Sequence, residues 1–176
     1  MINEVIKKNG ITYGVMIGIA SALITATIYA VDLHLFTAWW VGLVGIAISL
    51  TISILLLSKT KKELNGVFPF KDAFTTYFIA AVIGILISTL FNILLFNVID
   101  PGAKETVHEL VIKYTVEMMQ KFGSQASVIN ETIAKMKLNN PYSTFELLKG
   151  SAFAIVISSV FGLIFAAFFK SKSTQE

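Results

Sequence analysis

The 176-residue chain is 55% apolar and only 14% charged, with a mean hydropathy of +0.75. A soluble domain carries about 25% charged residues, so a water-covered globule is excluded and lipid is the solvent that fits. The net charge of +3 comes from scattered lysines with no arginine, which argues against a nucleic-acid partner, and the lack of cysteine excludes disulfides, thiolate catalysis and cysteine metal sites.

A transmembrane helix needs about 20 mainly apolar residues, and four stretches qualify: about 11–31, 36–57, 74–98 and 151–169. None contains Asp, Glu, Lys or His. A mid-helix Lys or Asp would oppose insertion by about 2.5–3.5 kcal/mol, so each stretch should insert unaided. The first has Lys7 and Lys8 before it and Ala20-Ser21-Ala22 inside it, the marks of a signal peptide. Its apolar run continues through Leu23, Ile24, Ile28 and Val31, past the reach of a signal core of about 7–15 residues. A tight turn at Asp32–Leu35 leads to the second span, which opens with Trp39 and Trp40. Phe36 and Tyr29 are expected at the same interface, and Tyr13 and the stretch Phe68 to Phe74 at the opposite one.

Between the third and fourth spans lie about 50 residues, 99–150, too long for a structureless loop. Asp100-Pro101 reads as a helix start, with an N-cap carboxylate and proline at the first position. Val107, Leu110, Val111, Tyr114, Met118 and Phe122 then recur at helical spacing, while Glu105, Glu109, Lys113, Glu117 and Lys121 form a charged row on the other face. Gly123 ends this helix. A second one begins near Ser124 with Val128, Ile129, Ile133 and Met136 apolar and Glu131 set to pair with Lys135, and it ends at Asn139-Asn140-Pro141. The expected fold is all-α and polytopic, a single membrane domain over 1–176. It consists of a bundle of four transmembrane helices and a two-helix amphipathic extramembrane loop between spans three and four.

Small residues recur at every fourth position: Gly14, Gly18, Ala22, Ala26 and Ala30; Gly45, Ser49 and Ser53; Ala80, Gly84, Ser88 and then Asn92; Ala154, Ser158, Gly162 and Ala166. Such ridges let helix backbones approach closely. Packing inside the bundle and contact between copies both use them, and both stay open from sequence alone. Asn92 is the one strongly polar side chain deep in a span, and its amide needs a partner. A bond to a neighbouring helix is the expected use, a pore-lining or substrate-binding amide the other.

Lysine placement orients the chain. Lys7, Lys8, Lys59, Lys61, Lys62, Lys71, Lys170 and Lys172 all fall on one side of an even number of spans. The six lysines of the long loop are balanced by six acids. Both termini are therefore expected inside, with Lys59, Lys61, Lys62 and Lys71 meeting lipid headgroups. Glu105-x-x-His108 has the spacing of a di-iron half-site, but the only other histidine, His34, lies in a different loop. Asn130-Glu131-Thr132 matches a glycosylation sequon that arises often by chance. No metal or cofactor is expected. No phosphate loop or Gly-x-Ser-x-Gly occurs, and no carboxylate or histidine pair lies within a span, so an enzyme is not expected either.

Gly66-Val67-Phe68-Pro69-Phe70-Lys71-Asp72-Ala73-Phe74 before span three, Ile99-Asp100-Pro101 after it, the acidic Met-containing loop closing on Asn-Pro, and a last span with Gly162 ending at Lys170 and Lys172 resemble one family. It is catalogued as domain of unknown function 4199, small four-helix membrane proteins common in Bacteroidota. Pro69 departs from the small polar residue expected there, at the entry to span three. The resemblance implies an inner-membrane, multi-pass protein and supplies no catalytic residues. The functional expectation is a non-enzymatic assembly, regulatory or accessory subunit acting through a membrane-protein partner. The alternative is a homo-oligomeric small-solute transporter or channel joined along the Gly14–Ala30 ridge.

Overall fold

A computed structural model describes residues 2–171; Lys172, counted above among the tail lysines, lies outside them. The described chain is all-helical. α1 spans Glu4–Val31, a 3-10 turn follows at Leu33–Thr37, and α2 spans Trp39–Glu63. α3 spans Phe70–Leu94 and finishes in a π-helical turn at Leu95–Ile99; α4 spans Pro101–Lys121, α5 Ala126–Leu138 and α6 Thr144–Phe169. Among the described residues four helices are long and apolar enough to cross a membrane: α1, α2, α3 with its π turn, and α6.

The helices outrun the apolar stretches that announce them. At 1.5 Å per residue, a 28-residue α1 is about 42 Å long against a hydrocarbon core of about 30 Å, so its first turns stand outside lipid. There Asn3 caps the helix by accepting from the Val5 N–H. The turn between α1 and α2 is longer than expected because Asp32 accepts from the His34 N–H and starts the 3-10 segment, which takes Phe36 out of α2. α6 starts at Thr144, well before Ser151, because the Ser143 hydroxyl caps it from the aqueous side.

Local signals set the other ends. Asp100 accepts from the Ala103 N–H with Pro101 at the first position of α4. Gly123, at φ +72°, closes α4 with paired bonds, Ser124 N–H to Met119 O and Gly123 N–H to Gln120 O. Asn65 and Gly66, at φ 54° and 83°, close α2 in the same way. Pro69 is the N-cap of α3, where an absent N–H costs nothing, and its carbonyl accepts from Asp72 and Ala73.

α3 is the central helix: α1 runs along it on one side and α6 on another, while α2 leans chiefly on α1. α2 and α6 scarcely touch. One core lies at the end holding the termini, where Leu57, Phe68, Ala73, Tyr77 and Ala166 meet. Phe68, expected at an interface, is instead fully buried there. Its backbone is held by Ser171, whose hydroxyl accepts from the Phe68 N–H and whose N–H donates to the Phe68 carbonyl. A second core at the loop end joins Leu95, Phe96, Ala103 and Val107. Phe36, Phe96 and Tyr142 pack edge-on around it with ring centroids 4.8–6.0 Å apart.

Candidate functional site

The glycines of the ridges are spent on the tightest contacts. A β-carbon on Gly14 would lie 2.8 Å from the Ala80 carbonyl oxygen, and one on Gly18 2.6 Å from Ile87. Gly84 faces Ile17 from the other side, and Gly162 of α6 faces the Tyr77 ring. Ala22 and Ala26 are half-buried, Ala30 is exposed, and the Ser158 hydroxyl donates to the Tyr77 hydroxyl at 3.3 Å.

The serines of the same ridges do something else. α2 buries Ser53, Leu56, Leu57 and Thr60 but nothing in its first half, and β-carbons at Gly42 or Gly45 would meet no atom within 4 Å. Gly45, Ile48 and Ser49 of that half stay beside Ile17, Ala20, Ser21 and Ile24 of α1, while α6 is scarcely touched. The space left between α1, α2, α3 and α6 is a cavity of about 500 Å³, lined by Ser21, Ser49, Ser88 and Thr89, with Glu146 also on its wall. Ser88 stands eleven residues before Ile99, or about 16–17 Å of helix, which is roughly half of a hydrocarbon core of about 30 Å.

Six hydroxyls of the spanning helices, those of Thr27, Thr51, Ser53, Thr60, Thr76 and Ser159, donate to the carbonyl four residues earlier. Among the described residues the hydroxyls of Ser21, Ser49, Ser88 and Thr89 make no hydrogen bond, and no buried polar side-chain atom is left unpaired. These hydroxyls are thus open to the cavity. Ser88, expected in the packing ridge, lines it, and Ser49 does the same from α2. Asn92 does not bond to a neighbouring helix: its amide donates to the Ser88 carbonyl of its own helix at 2.8 Å, a bond that satisfies a polar group within its own span.

A second, apolar groove of about 450 Å³ runs between α2 and α6, lined by Leu50, Phe153, Ile157 and Phe161. It shares Ser49 and Ala154 with the cavity, so the hydroxyl-lined space and the apolar groove lie side by side. Glu146 lines the hydroxyl-lined space and Tyr77 the groove, with the Tyr77 hydroxyl accepting from Ser158. The Lys149 ammonium donates to both oxygens of the Glu146 carboxylate, at 3.0 and 3.1 Å. Such a site can hold and orient by hydrogen bonding.

Outside the spans, α4 lies across the 3-10 turn and the π turn, and α5 folds back on α4. His108, 6% exposed, fastens the pair by donating from Nε2 to the Met136 carbonyl at 2.9 Å. Glu105 is exposed and accepts from Asn140. The charged row Glu105, Glu109, Lys113, Glu117 and Lys121 is exposed as expected, and Glu131 pairs with Lys135 at 2.7 Å. Lys135 holds the Glu131 carboxyl below its ordinary value. The Ala103 N–H, followed by the Tyr29 hydroxyl at 2.9 Å, does the same for Asp100. Burial pushes the Tyr142 phenol up.

At the end holding the termini, Lys59, Lys62 and Lys71 are exposed and Lys61 half-exposed, with Lys59 5.7 Å over the Tyr13 ring. Beside them is a cluster that the sequence reading missed: buried Asn9 donates to Glu63 at 2.7 Å and to the Thr60 hydroxyl at 3.2 Å. Carrying the ridge back one step from Gly14 to Gly10 puts α1 against α3 there and would have drawn attention to Asn9.

No curated protein and no solved structure matches this chain. A family model described as "Protein of unknown function (DUF4199)" matches residues 12–171, nearly the whole chain and all four candidate spans. The chain belongs to that family.

Proposed function

We propose that this membrane protein is a non-enzymatic accessory or regulatory subunit that acts by docking a second membrane protein on the α4–α5 pair. One observation carries the reading. The pair stands outside the spans and is fixed at its base by Val107 and His108, yet Tyr114, Phe122, Val128 and Leu138 stay 38–82% exposed on it. Large apolar side chains left uncovered on a small polar element are the usual mark of a surface with a partner. The excess of lysine at the end holding the termini supports an orientation with both termini cytoplasmic, in the inner membrane. The transporter alternative drew on the α1 ridge for contact between copies; Gly14 and Gly18 are buried against α3, so that assembly would need another face.

Crosslinking in intact cells, followed by mass spectrometry, tests the proposal. The expected result is a stoichiometric partner crosslinked to α4–α5 and lost on Phe122→Ser with Leu138→Ser, while the spans keep their helicity. A chain that crosslinks to nothing through α4–α5, or a partner retained by the double variant, would refute it.

A further inference from the structure

We infer that the cleft between α2 and α6 is a binding site for one zwitterionic phospholipid of the phosphatidylethanolamine type. Its head would enter the hydroxyl-lined cavity, and one acyl chain would lie in the apolar groove. This goes beyond the partner-docking reading and is independent of it.

Three observations point the same way. The first is that four hydroxyls at mid-membrane depth, on Ser21, Ser49, Ser88 and Thr89, face shared space and have no partner among the described residues. A hydroxyl in hydrocarbon needs one, and the ester and phosphate oxygens of a lipid head accept from hydroxyls. The second is that this space adjoins, across Ser49 and Ala154, a groove walled by Leu50, Tyr77, Phe153, Ile157, Ser158 and Phe161, which is apolar over most of its surface. Each part, at about 500 and 450 Å³, is of the size of an ordinary ligand site, about 300–1,000 Å³. A polar solute would fit the first part and leave the second unmatched; an acyl chain alone would do the reverse. An amphiphile matches both.

The third observation concerns charge on the cavity wall. Glu146 stands two to three turns above Ala154 on α6, and Lys149 is paired with it at 3.0 Å. A head with an ammonium and a phosphate complements that pair, the ammonium toward the Glu146 carboxylate and the phosphate toward the Lys149 ammonium. An anionic head would offer the Lys149 ammonium the same phosphate but leave the Glu146 carboxylate without an ammonium to meet it.

The test uses the full chain, purified alone from nanodiscs of equal parts phosphatidylethanolamine, phosphatidylcholine and phosphatidylglycerol, with bound lipid counted by native mass spectrometry. The expected result is one phosphatidylethanolamine per chain, kept at activation energies that strip other lipid. Filling the cavity with Ser88→Leu and Ala154→Leu should lower that retention at least tenfold. Glu146→Gln should keep a lipid but lower the preference for phosphatidylethanolamine over phosphatidylglycerol at least fivefold. Equal retention by the wild type and the filled variant would show ordinary surrounding lipid and overturn the proposal, as would the absence of any headgroup preference. A measurement on the wild type guards against a variant that fails to fold. A photoreactive phosphatidylethanolamine should crosslink to the α2 and α6 segments 46–50 and 153–161, and crosslinks spread evenly over all lipid-facing helices would overturn the assignment.

Discussion

The α1–α3 contact makes a signed prediction for two glycines that look alike in the sequence. A methyl group at position 14 would arrive 2.8 Å from the Ala80 carbonyl oxygen, 2.9 Å from Ile83 Cβ and 3.0 Å from Ala80 Cα. Two of those atoms are helix backbone and cannot rotate away, so α1 must shift off α3. Overpacking of this kind costs about 1–3 kcal/mol. Alanine recovers about 0.8–1.0 kcal/mol over glycine in helix propensity. With rigid neighbours the upper part of the cost applies, and Gly14→Ala is expected to lose about 1–2 kcal/mol net. At Gly45 the same methyl meets nothing within 4 Å, so only the gain remains and Gly45→Ala should stabilise by up to about 1 kcal/mol. Reversible unfolding from mixed micelles by titration with a denaturing detergent, followed by circular dichroism, measures both. If Gly14→Ala is as stable as the wild type, or if Gly45→Ala loses as much as Gly14→Ala, the assignment of contact to α1 and open space to α2 is refuted.

Three further outcomes follow from polar contacts. Asn9→Leu removes the donor to Glu63 and Thr60 and should cost about 1–3 kcal/mol in the same assay; a stability equal to wild type would show that the buried amide is dispensable. Asp100 has its carboxyl lowered from 3.8 by the cap bond to Ala103, so its contribution is complete above 3.8 and is lost as the pH falls through the lower folded value. Protection of amides in the first turn of α4, taken relative to the intrinsic exchange rate at each pH, should therefore fall on strong acidification in the wild type and change less in Asp100→Ala, and equal pH dependence would contradict the cap. His108→Ala removes the clasp on Met136; exchange over α5 should rise about tenfold, corresponding to roughly 1.4 kcal/mol, while the spans keep their protection. Unchanged exchange over α5 would show that other contacts hold it.

The number of spans and most helix ends were legible because each depends on local chemistry. Asp100-Pro101, Gly123 and the Asn139-Pro141 stop act within a turn of their own position, and all three mark ends in the structure. The helix α1 begins at Glu4, ahead of the apolar stretch at about 11–31, for a definite reason. Hydropathy reports where lipid begins, whereas Lys7, Lys8 and Asn9 are compatible with a helix that has not yet entered lipid. What could not be read was the space between α2 and α6. Apolar side chains are equally at home against lipid or protein, so sequence carries no mark of where two spans part. Nor does it tell a bond across helices from one along a helix: the Asn92 amide, expected to reach a neighbouring helix, donates to the Ser88 carbonyl of its own.

That ambiguity has a partial remedy in the chemistry of the ridges themselves. Along α3 the every-fourth-residue row runs Ala80, Gly84, Ser88, Asn92, and its role changes between the second and third members. Ala80 and Gly84 are buried against α1, while Ser88 opens on the cavity and Asn92 turns back to the backbone. Glycine and alanine serve close approach because they have almost nothing to bury. A serine in the same register permits the approach but brings a hydroxyl that must find a partner. When serines from several helices converge without back-bonding, as Ser21, Ser49 and Ser88 do, the shared demand is for something polar between them. A small-residue row that turns from glycine to serine partway through a span therefore marks the point where packing gives way to a site.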